Sequence, residues 1–175
     1  IQCMGGVNHG WVTPARILKV SCNRGAAQAA RDAGWGNLWH GYQRQRYRFA
    51  DAERSRYGIV RREAGDRGAG DRGPQADFRE FHRFIAFGQV LGASVDEVMR
   101  SACALANRGR LVSPHWRTAA PVWEASVWRP EVADVVSWWL MDAAGAGGTA
   151  YRVWEGGPRY PSKTGSAQTG MPESD

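Results

Sequence analysis

With 175 residues, 43% of them apolar, the chain can bury one core without disulfides or metal. Its formal charge of +6 is unevenly placed: residues 1–73 hold thirteen Arg and Lys against six Asp and Glu, residues 74–175 ten against eleven. No run of about 18 apolar residues occurs, so no membrane span is expected, and the three scattered cysteines, Cys3, Cys22 and Cys103, argue against a disulfide framework. An odd cysteine count suits a reducing compartment, and the first residues lack the basic start and apolar core of a signal peptide, so a cytoplasmic location is expected.

Ile1 to Gly10 has no period and reads as an irregular lead. Thr13 as N-cap and Pro14 at the first helical position predict a helix over Ala15 to Val20. Gly25 breaks the pattern, and Ala26 to Ala33 forms a second helix that Gly34 ends in the left-handed conformation. A segment of aromatics, amides and arginines follows, from Trp35 to Phe49.

The wording Thr13-Pro14-Ala15-Arg16-Ile17-Leu18, then Gln28-Ala29-Ala30 with Gly34 four residues beyond, then Trp39-His40-Gly41-Tyr42-Gln43 and Arg46, resembles the Cro/cI-type helix-turn-helix domains of phage and plasmid regulators. The resemblance implies a DNA-binding, transcription-regulatory protein. In it Asn37, His40, Gln43 and Arg44 would face bases or phosphates, with Arg46 and Arg48 on the backbone. The basic first part supports a polyanionic partner. The alternative is that Trp35, Trp39, Tyr42, Tyr47 and Phe49 are simply core, with a solvated arginine face between them.

Residues 50–64 are charge-rich, and residues 65–73 repeat Gly-Asp-Arg-Gly, whose GxGxxG wording lacks a preceding strand and reads as a linker. Phe78, Phe81, Phe84, Ile85, Val90 and Leu91 share a face of a helix over 75–91, and Ser94 with Glu97 makes a capping box for another running to Asn107. Six of the nine tryptophans lie beyond residue 110, Pro130 starts a helix over 131–143, and a short β-hairpin is placed near 151–160. The fold class expected is mainly α, a helix-turn-helix-like N-terminal bundle plus a helical Trp-rich C-terminal part. Its boundaries are 1–64 for the basic region, 65–74 for the linker, 75–155 for the Trp-rich region and 156–175 for a tail.

No GxSxG, HExxH, P-loop or CxxC occurs. Cys3, His9, Cys22 and His40 could converge on zinc, but their intervals match no compact pattern; Cys103 with His115, and Asp32, Asp51 and Glu53 as magnesium ligands, are equally unselected. No catalytic residue, metal or cofactor is therefore assigned, and the reading leans away from an enzyme. The first expectation is a DNA regulator, with DNA or another polyanion as partner and the C-terminal helices as a homodimer surface. The alternatives are a non-catalytic interaction module using the Trp-rich surface, and an enzyme acting on nucleic acid or cell-wall polymer.

Overall fold

Thr13 and Pro14 start the first helix as their chemistry dictates. The Thr13 hydroxyl accepts the Arg16 N–H at 3.3 Å, and proline occupies a position whose N–H would have no helical partner. The computed structural model describes residues 2–45, 47, 85–88, 93–113 and 120–165, with Met4, Trp35 and Trp39 described by backbone alone. In order these give a 3-10 turn (Met4–Gly6), α1 (Pro14–Lys19), α2 (Asn23–Ala33), α3 (Trp35–Arg44), α4 (Val95–Ala106), β1 (Arg110–Val112), β2 (Trp123–Ser126), α5 (Pro130–Ala143) and a second 3-10 turn (Tyr151–Val153). The described chain is mainly α, with one small antiparallel sheet.

Ser94 caps α4 as its spacing to Glu97 predicts: the serine hydroxyl accepts the Glu97 N–H at 3.2 Å, and the Glu97 carboxylate accepts the Ser94 N–H at 2.8 Å. The helix turns into the sheet through Arg108 and Gly109, both at positive φ, with the Gly109 N–H donating to the Ala104 carbonyl at 2.7 Å. Arg110 pairs with Ser126 and Val112 with Trp123, with a bulge between. Ala104, Leu111 and Val127 close a small core there, with Trp128 packed on it. Burying Leu111 contributes about 2 kcal/mol. Arg100 and Glu124, both largely buried, pair at 2.7 Å across α4 and β2.

At the other end, α1 packs against α5 and α2 against α3. Tyr42 on α3 donates its phenol to the Ile85 carbonyl at 2.9 Å and meets Tyr47 edge to face; burial, with Tyr47 adding, pushes its pKa up to about 12.

Several expectations change. Gly25 does not break α2 but sits buried inside it, beside Ile17 and Val12. α2 and α3 are joined by Gly34 alone, whose φ of 81° and ψ of 144° are not left-handed helical, so the described geometry does not establish the helix-turn-helix detail. The hairpin expected near 151–160 is a 3-10 turn. The N–H groups of Val153, Trp154 and Gly157 are spent on carbonyls three residues back, and Pro158 has none to give a ladder. The strands lie instead at 110–126, where proline-cut pieces of three and four residues carry too little alternation to read. The charge-rich stretch 50–64, the glycine linker and most of the helix expected over 75–91 lie outside the described residues.

Candidate functional site

The end of α1 builds one wall of a site. The Ser21 N–H donates to the Leu18 carbonyl at 3.3 Å and the Cys22 N–H to the Ile17 carbonyl at 3.0 Å, the paired bonds of a Schellman cap. That cap requires a positive φ at Ser21, observed at 50°, where glycine would be the relaxed residue. Cys22 then caps α2, its sulfur accepting the Gly25 N–H at 3.3 Å, and Asn23 begins the helix.

The opposite wall comes from the chain after α5. The Ala150 N–H returns to the Ala143 carbonyl at 2.9 Å, and the Thr149 N–H reaches the Lys19 carbonyl at 3.1 Å, seating this loop on the end of α1. The Trp154 indole donates to Ser162 Oγ at 2.8 Å, and the Ser162 N–H donates to the Leu140 carbonyl at 3.1 Å. Lys163 is thereby delivered to Ser21: its Nζ donates to Ser21 Oγ at 2.7 Å and to the Thr164 carbonyl at 2.6 Å, while Thr164 Oγ1 donates to Thr149 Oγ1 at 2.9 Å. Although the residue is exposed overall, desolvation around the ammonium pulls the Lys163 pKa below its ordinary value.

The result is one cation and three hydroxyls on adjoining edges of two segments, with no carboxylate among them. A serine oxygen that accepts from an ammonium turns its own proton away from that ammonium. It is therefore placed to donate to a group arriving from the open side.

The residues expected to read DNA lie elsewhere. Asn37, His40, Gln43 and Arg44 are exposed on α3; the Asn37 amide donates to the Ala33 carbonyl at 2.7 Å, and His40 Nδ1 stands 3.2 Å from Gln43 Oε1. Arg46 and Arg48 lie outside the described residues. Of the four groups weighed for zinc, Cys3, His9 and Cys22 do come together, and His40 does not. Cys103 is exposed on α4, while His115, Asp51 and Glu53 are outside the described residues; Asp32 accepts from Gln28 at 2.7 Å on the surface of α2.

Ser21, Thr149, Lys163 and Thr164 were not selected by sequence reasoning. One signal was available: of 23 cations only Lys19 and Lys163 are lysine, and a lysine kept among arginines marks a place for a compact, titratable ammonium.

No family model and no curated protein matches the chain. Among solved structures it is similar to a peptidoglycan glycosyltransferase from Burkholderia ambifaria, with 19% identity and a TM-score of 0.58 over 82% of this chain and 44% of that one. It is also similar to the TP domain of penicillin-binding protein 3 from Burkholderia pseudomallei, with 20% identity and a TM-score of 0.61 over 86% and 46%. The chain thus spans less than half the length of either. This shared fold overturns the expected DNA-binding regulator and its DNA partner: the solved structures that share the architecture are a peptidoglycan glycosyltransferase and a penicillin-binding protein domain, not DNA-binding regulators. The exposed polar face of α3, which suggested a reader, is what any amphipathic surface helix presents.

Proposed function

We propose that these residues form one part of a serine acyl-transfer site of the penicillin-binding class, acting on the peptide portion of peptidoglycan. The observation that carries the reading is the 2.7 Å bond from Lys163 to Ser21. It joins Ser21-Cys22-Asn23 to Lys163-Thr164-Gly165, and the S-D-N and K-T-G wording of penicillin-binding proteins and class A β-lactamases is matched except for cysteine in the middle of the first motif. The likeness to solved structures supports the same class. None of the 175 residues spells S-x-x-K, so the nucleophilic serine that this reading requires lies outside them.

Within the reading, the nucleophile forms a C–O bond as the scissile C–N bond breaks, and the proton it gives up ends on the departing amine. Ser21 is the relay: with its oxygen held by the Lys163 ammonium, it takes up the nucleophile's proton as its own passes to that amine, and ends as the neutral hydroxyl it began as. The Lys163 charge and the Thr149 hydroxyl, which accepts from Thr164, suit a substrate carboxylate. Chemistry at a glycosidic bond generally rests on paired carboxylates, and none joins this cluster among the described residues. A peptidoglycan substrate lies outside the cytoplasmic membrane, so the reading proposes a compartment other than the cytoplasmic one suggested by cysteine usage.

The test is covalent labelling of the full protein that carries these residues with a fluorescent β-lactam, followed by mass spectrometry of the acylated peptide. Labelling on a serine outside residues 1–175, slowed about 100-fold or more in Lys163→Ala, is the expected result. An unlabelled protein, or labelling indifferent to Lys163→Ala, would remove the proposal.

A further inference from the structure

A second cluster lies behind Ser21 and takes no part in the acyl-transfer reading. Cys3, ahead of the first 3-10 turn, His9, in the loop that follows, and Cys22, at the joint of α1 and α2, bring their ligand atoms within 4.8 Å of one another. We propose that Cys3, His9 and Cys22 bind a single zinc ion that ties the N-terminal loop to the Ser21–Asn23 turn.

Three observations carry this. The two cysteines are 5% and 4% exposed, and their sulfurs stand 3.7 Å apart. Two thiolates each about 2.3 Å from a tetrahedral zinc are separated by about 3.8 Å, so the pair already spans one edge of the coordination tetrahedron. His9 Nδ1 is buried with no hydrogen-bond partner, a costly condition that ligation relieves. The donor set decides the ion: two sulfurs and an imidazole suit zinc or its cobalt substitute and are poor ligands for magnesium or calcium. Two thiolates and a neutral imidazole around a divalent cation make a neutral unit, the form in which a metal centre is tolerated at a buried place. With three protein ligands, a water completes the four of tetrahedral zinc.

A disulfide between Cys3 and Cys22 is the competing state. It would need the sulfurs to close from 3.7 Å to about 2.05 Å and would leave His9 Nδ1 unpaired. The consequence of zinc is local: Cys22 sits between Ser21 and Asn23, so the ion would hold the left-handed turn that presents Ser21.

The test measures metal, and its outcome is independent of acyl transfer. The full chain is purified without chelator, its zinc measured by atomic emission, and the metal-free protein titrated with Co2+. Expected are one zinc per chain, a thiolate-to-cobalt charge-transfer band and tetrahedral d–d absorption. Cys3→Ser and His9→Ala should lose the band or weaken binding by at least about tenfold while keeping the circular dichroism of the parent. Protein that carries no zinc and gives no cobalt band would overturn the site, as would a Cys3–Cys22 disulfide found in metal-free protein isolated under reductant-free nitrogen. His9→Ala binding as tightly as the parent would overturn it too.

Discussion

Ser21 is held in a backbone conformation that suits glycine, and the strain is stored where the chemistry is proposed. Ser21→Gly should relieve it, raising stability by about 0.5–1 kcal/mol in urea denaturation, while β-lactam acylation of the full protein falls. A loss of stability would show that the side chain, not the backbone, governs this position. Lys163 gives a pH prediction with a definite sign. Its ammonium must be protonated to donate to Ser21, and desolvation lowers its pKa from the ordinary 10.5, so acylation should fall with rising pH earlier than an unperturbed lysine would dictate. In Lys163→Arg, whose charge does not titrate in this range, residual acylation should lose that alkaline limb. A limb that persists unchanged would assign it to another group.

The elements show which parts of the fold were legible in the sequence. Thr13-Pro14, Ser94 with Glu97, and Pro130 each place a helix start correctly, the first two because a side chain caps N–H groups two or three residues on, and Pro130, with no side-chain cap, because its fixed φ suits the first helical position. Gly25 was misread because its reason is tertiary. A methyl there would meet Ile17 Cγ1 at 2.6 Å and Val12 Cγ2 at 2.9 Å, so α1 and α2 cross closely only if residue 25 has no side chain. Gly25→Ala should therefore destabilise the chain by about 1–2 kcal/mol despite alanine's better helix propensity, as read by urea denaturation. Between α4 and β2, Arg100→Ala should cost about 2–3 kcal/mol, since the largely buried Glu124 would lose the Arg100 guanidinium that it holds at 2.7 Å. The exposed Arg108–Asp134 pair, by contrast, sits in water, and its removal should leave the denaturation midpoint nearly unchanged.

At the scale of the molecule, the site could not be read from local pattern. Ser21 and Lys163 are 142 residues apart, and no periodicity or cap signals that α1 and the segment after α5 share an edge. Of what the sequence displays most loudly, the arginines and aromatics from Trp35 onward, residues 35–44 form α3 with Tyr42 turned inward, and the cationic excess points misleadingly toward nucleic acid. Cys3, His9 and Cys22 are visible in the sequence as groups that could converge on zinc together with His40, but intervals of five and twelve residues match no compact motif, so only the fold separates the three that meet from the one that does not.

The central claim is that Lys163 and Ser21 act as one unit in acyl transfer, and a double-mutant cycle on the full protein tests it most directly. Second-order rates of β-lactam acylation are compared for the parent, Ser21→Ala, Lys163→Ala and the double variant. The account predicts that each single change slows acylation about 100-fold or more and that the double variant is scarcely slower than either. Losses that simply multiply, or single variants that acylate at the parental rate, would contradict it.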